Sequence, residues 1–167
     1  MGHTSLACLL AVHTVLDEQF YRHQEALLNR DSSAARGQLS VFERTLGDHI
    51  RDEEDVLLPI YERAGAIPGG PAALFLGEHK RLLEMLHDFR NCLTSLMDGS
   101  TPQTRSILWL FDRETTFKNL MAHHHLRESH IFYPALDRVT CETERRELLA
   151  RCHPARPERP IPERGSQ

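Results

Sequence analysis

HHLRESHIFYP, residues 124 to 134, has a counterpart earlier in the chain, HIRDEEDVLLP at residues 49 to 59. The two align residue for residue: each opens on a histidine, places a glutamate four residues on, runs through apolar positions and ends in proline, at Pro59 and Pro134. On a helix, four residues are about 6 Å of rise and about 40° of rotation, so both side chains leave one face. His49 with Glu53, and His124 with Glu128, can therefore each offer a metal ion two ligands. The segments lie far enough apart to occupy separate helices, which points to a metal site inside a helical bundle.

The surrounding apolar pattern supports helices. From Leu6 to about Leu28, a stripe of Leu6, Leu9, Leu10, Leu16 and Phe20 contains His13, with Thr4 or Ser5 as N-cap. A second helix is expected from about Ala34 to Ala64, started by Ser32 or Ser33, with Leu39, Phe42, Leu46, His49, Glu53 and Leu57 on one side. Pro59 falls inside it and is expected to bend or thin the helix. After the turn at Pro68-Gly69-Gly70-Pro71, a third helix runs from about Ala72 to Met97, and its stripe includes Phe75, Leu76, His79, Leu82, Leu83 and Leu86. Ser100 or Thr101 can cap a fourth helix from about Gln103 to Asp137, with Pro102 at its start and Phe117, Met121, His124 and Glu128 on its stripe.

A short fifth helix from about Glu142 to Arg151 reads as an appendage, and the proline-rich stretch beyond His153 as an extended or disordered tail. The expected fold is all-α: an up-down-up-down four-helix bundle over residues 1–139, with the short C-terminal helix and tail in 140–167.

The composition is that of a globular chain: 167 residues, 40% hydrophobic and 26% charged, enough to bury a core. Lys and Arg are scattered and the formal net charge is -4, which does not favour nucleic acid as a partner. The longest apolar runs, such as Leu6 to Val12, are far short of a membrane span. With no secretory signal ahead of the first stripe, the expected location is cytoplasmic. Cys8, Cys92, Cys141 and Cys152 form no Cys-x-x-Cys pair and read as packed or idle thiols of a reducing compartment.

The inward polar residues are thus His13, His49, Glu53, His79, His124 and Glu128. Neutral imidazole suits divalent first-row metals, and carboxylates can bridge two of them and offset their charge. A glutamate on a core stripe needs such compensation, because an unpartnered buried carboxylate is strongly disfavoured. Spare coordination positions would remain for water, hydroxide or a small diatomic molecule.

His13, HIRDEEDVLLP, Glu78-His79 and HHLRESHIFYP together resemble the hemerythrin-like family, also called the HHE cation-binding domain, over about residues 5 to 137. The resemblance implies a cofactor of two non-haem iron ions, oxo- or hydroxo-bridged, with Glu53 and Glu128 as bridging carboxylates. It divides His13 and His49, then His79 and His124, between the irons. The implied partner is a small diatomic ligand or peroxide. Oxygen-carrying members have a second third-helix histidine where this chain has Leu83, and close on His and Asp where it has His124 and Glu128. Four histidines with two glutamates are more similar to bacterial iron-centre repair proteins and the F-box iron sensor than to an oxygen store. A metal-dependent sensor or iron-delivery module is therefore the alternative to a protein that binds or reacts with O2, NO or peroxide.

Other residues carry weaker expectations. Within His123-His124-His125 the repeat register selects His124 as the inward residue. Glu84 and His87 form one Glu-x-x-His of the ferritin type, but such sites need two. His23, His130 and His153 read as surface or loop residues, and Tyr61 and Tyr133 as helix-end packing in preference to the alternative that they line the site. Glu54 can orient a ligand imidazole, with Ser129 in its place in the second repeat.

Overall fold

The computed structural model describes residues 4–97 and 104–153, and within these it contains helices and turns but no strand. The expected cap at Ser100 or Thr101, Pro102 and the tail lie outside the described residues. A 3-10 turn, Leu6–Leu10, leads into α1, Ala11–Leu28. Ser5 caps it, accepting a hydrogen bond from the Ala7 amide at 3.1 Å. α2, Ser32–Arg51, is capped by Asp31, which accepts from the Ala34 amide at 2.9 Å. Ser32 starts the helix, as expected. A carboxylate satisfies a free amide and also opposes the positive end of the helix dipole.

The long second helix expected to reach Ala64 is a rod of changing pitch. α2 passes into a π-helical segment, Asp52–Leu57, then α3, Leu58–Tyr61, and a 3-10 turn, Glu62–Ala64. After α4, Ala72–Met97, the second repeat does the same: α5, Thr104–Arg127, a π segment, Glu128–Phe132, then α6, Tyr133–Val139. Proline has no amide hydrogen, and its ring crowds the carbonyl four residues back. Widening the turn to five-residue hydrogen bonds lets each rod continue through its proline. The widened bonds run from the Leu58 amide to the Glu53 carbonyl and from the Tyr133 amide to the Glu128 carbonyl. The glutamate of each repeat therefore sits on its own π segment.

Two apolar clusters fill the bundle. One packs Leu16, Phe20, Phe42, Leu86 and Phe117 along the four long helices. The other packs Leu6, Leu57, Phe75, Phe132, Tyr133 and Leu148. Each fully buried ring or branched aliphatic contributes about 1.5–3 kcal/mol by the general transfer scale. The stripe of α4 is narrower than expected, since Leu76 and Leu83 are 41% and 39% exposed. They follow Phe75 and Leu82 by one residue, a rotation of about 100° on a helix, which turns them out of the core.

Two residues are placed against expectation. His23, expected at the surface, is fully buried: its Nδ1 lies 2.8 Å from the Ala35 carbonyl and its Nε2 lies 2.9 Å from Glu114 Oε1. Tyr133 is also fully buried and does more than pack a helix end, as described below.

α7, Glu142–Arg151, does not stand apart. Arg145 donates to the carbonyls of Asp137 and Thr140, Leu148 and Cys152 enter the second cluster, and the amide of His153 donates to Asp52 at 2.7 Å. Among the described residues, no helix is long and apolar enough to cross a membrane.

Candidate metal centre

The six inward residues converge between the two apolar clusters. α1 supplies His13, α2 His49, α4 His79 and α5 His124, while the π segments supply Glu53 and Glu128. Their potential ligand atoms form two sets. Glu53, His79, His124 and Glu128 make a fully buried group of four, and His13, His49 and Glu128 a group of three. Within each set these atoms lie within 4.8 Å of one another, and Glu128 belongs to both. His79 Nε2 stands 3.1 Å from Glu53 Oε2, and His49 Nε2 stands 3.7 Å from Glu53 Oε1 and 3.6 Å from Glu128 Oε1.

The contacts on Glu128 test whether a cation fits. His124 Nε2 approaches its Oε1 to 2.7 Å and His13 Nε2 approaches its Oε2 to 2.9 Å. Nevertheless these atoms, together with His49 Nε2, are buried without an aligned hydrogen bond. Hydrogen bonding needs a donor pointed along the contact. Here imidazole nitrogens and carboxylate oxygens crowd together at short range without that alignment. Buried polar atoms left unpaired are costly, and a shared cation is the partner that suits all of them.

Outer carboxylates orient the imidazoles. Glu54 Oε1 accepts from His79 Nδ1 at 2.9 Å, in the role expected of it. Ser129 does not do this for the second repeat, since its hydroxyl turns to the Leu126 carbonyl and to His130. Glu78 does so instead: its Oε2 lies 3.0 Å from His124 Nδ1, and Arg127 donates to its Oε1 at 2.5 Å. Such contacts leave Nε2 as the lone-pair nitrogen for a metal. Tyr133 donates to Glu53 Oε1 at 2.8 Å and so lines the site, whereas Tyr61 donates to the Gly70 carbonyl and is structural.

Electrostatics follow from this crowding. Burial alone would push His124 down, but contacts with Glu128 and Glu78 override it and hold the imidazole up at about 10. Burial likewise opposes the charge on His49, and Glu53 and Glu128 raise it. Glu128 is held well below the usual carboxylate range, because His124, His13 and His49 outweigh the desolvation of its carboxylate. Burial, with Glu53 and Glu128 nearby, keeps Tyr133 well above its ordinary value, so its hydroxyl remains a donor. Without metal, imidazolium protons supply positive charge that a bound cation would supply in their place.

The remaining histidines separate clearly. His87 is exposed beside Arg90, and His130 is exposed with its Nδ1 at the Leu126 carbonyl. His153 is exposed, yet its Nδ1 lies 2.7 Å from Asp52 Oδ1. His123 faces out, but His125 does not: its ring stacks on His13 with centroids 3.6 Å apart and planes 3° apart. Register alone passed over His125, which stands about 100° around the helix from His124. Only the position of α1 on that flank brings it to the site.

A family model described as the hemerythrin HHE cation binding domain matches residues 70–155, which include His79, His124, Glu128 and α7. No curated protein and no solved structure matches the chain significantly. Since the match takes in more than half of the sequence, the chain belongs to the hemerythrin HHE cation-binding domain family.

Proposed function

We propose that the six residues hold two iron ions bridged by Glu53 and Glu128, with His13 and His49 on one side and His79 and His124 on the other. In this reading the protein binds or reacts with O2, NO or peroxide. The observation that carries it is the pair of donor sets sharing Glu128. Iron in such a setting supplies a binding position and redox chemistry for a small molecule. The chain's own residues do the rest: Glu54 and Glu78 fix the imidazole orientations, Tyr133 holds Glu53, and the apolar clusters exclude bulk water.

The test is metal content per chain in protein from iron-supplemented cells, with a visible spectrum in air. Two irons and the absorption of a bridged ferric pair are expected. Zinc, or no metal, overturns the reading.

A second reading, as a metal-dependent iron or oxygen sensor or an iron-delivery module, is favoured by the bond between His153 and Asp52. Asp52 precedes Glu53 on the same π segment, so metal occupancy and docking of α7 share one element. Release of iron and loss of helix on oxidation or chelation would select this reading. Reversible spectral change on cycling oxygen, with iron retained, would select the first.

A further inference from the structure

A groove of about 250 Å³ lies between α1 and α5, and its lining includes Phe20, Phe117, Met121 and Ala122, with Lys118 and Asp17 also present. His125 belongs to the same lining. Its ring also stacks at 3.6 Å on His13, whose Nε2 is 2.9 Å from Glu128. His125 thus touches both the groove and a member of the set of three donors, His13, His49 and Glu128. Of the two donor sets it is the one that contains the ring stacked on His125.

We infer that this groove binds a small uncharged molecule and delivers it past His125 to the metal position at His13 and His49. The inference deepens the proposed function and rests on its metal reading. The lining selects the guest. Two phenylalanine rings and a methionine favour an apolar body. Lys118 in the lining is already engaged over the Tyr21 ring at 5.0 Å and with Gln24 Oε1 at 3.4 Å, and Asp17 stands in the same lining, so neither an anion nor a cation finds an unopposed charge there.

Two measurements decide this. In metal-free protein labelled at methionine methyl groups, xenon is the probe: the Met121 resonance is expected to shift, and Ala122→Trp, which fills the groove from an exposed position, is expected to abolish the shift. In the iron-loaded, reduced protein, nitric oxide is the probe and stopped-flow association the readout. Ala122→Trp should slow association by about tenfold, equivalent to a barrier about 1.4 kcal/mol higher, with iron content unchanged. His125→Ala should accelerate it. An unshifted Met121 methyl overturns the groove as a binding site. An unchanged nitric oxide rate in Ala122→Trp with iron retained overturns it as the route. If the wild-type chain takes up no metal, the metal reading fails and the route with it, while the xenon result still decides whether the groove binds an uncharged guest.

Discussion

Glu78 stands next to His79 in the chain but serves His124, with its Oε2 3.0 Å from the Nδ1 of that ring. Arg127 holds the carboxylate from the other side. Removing a group that orients a metal-binding imidazole typically costs about 10–100-fold in affinity. Glu78→Ala should therefore weaken the tighter metal by about this factor, measured by competition with a chelator, while the helical circular dichroism is retained. Affinity equal to wild type would show that Glu78 only packs.

Glu128 belongs to both donor sets, so its loss removes a ligand from two positions at once. Glu128→Ala is expected to abolish two-metal occupancy, and His87→Ala, at an exposed position, to leave it unchanged. Metal analysis of the two purified variants checks this; the opposite pattern would relocate the site.

Metal uptake should release protons. His124, held at about 10 in the metal-free protein, is protonated at neutral pH and must lose that proton before Nε2 can bind a cation. Affinity should consequently rise with pH up to about 10. The same raised value stabilises the metal-free fold fully below the unfolded histidine value of about 6.5. That contribution is lost as pH climbs through about 10. Calorimetric titration in buffers of different ionisation enthalpy reads the released protons directly, and zero release at pH 7 would contradict the assignment.

His23 and Glu114 are a buried pair away from the metal residues. The Ala35 carbonyl can only accept, so His23 Nδ1 must donate to it, and the contact between Nε2 and Glu114 is closed by one shared proton. Gln24 donates to the other oxygen of Glu114. Removing one partner of such a pair costs about 3–5 kcal/mol. Glu114→Ala should lose stability on that scale in urea unfolding, with metal stoichiometry retained.

Gly70 has no space for a side chain. A Cβ there would come within 2.5 Å of Ile131 Cγ2 and 2.8 Å of the Tyr61 hydroxyl, which itself donates to the Gly70 carbonyl. Overpacking of this kind costs about 1–3 kcal/mol. Thermal unfolding of Gly70→Ala should show it; an unchanged midpoint would mean that Ile131 moves aside freely.

What the sequence determined by itself was local. The helical period brought His13, His49, His79 and His124 onto inward stripes, and the four-residue step set Glu53 beside His49 and Glu128 beside His124. These relations lie within one helix, where backbone geometry dictates them. The change of pitch at the two π segments was visible only as Pro59, read as bending or thinning its helix, and as Pro134 at the matching position of the second repeat. Tertiary structure decided the relations between helices. Glu78 reaches His124 across 46 residues, and His23 reaches Glu114 across 91. His125, turned about 100° from its neighbour, meets His13 because α1 lies on that flank of α5. Such contacts depend on how each helix is rotated and where it crosses the next, which is set by the packing of Phe20, Phe42 and Phe117 in the shared core and by no pattern within a single segment.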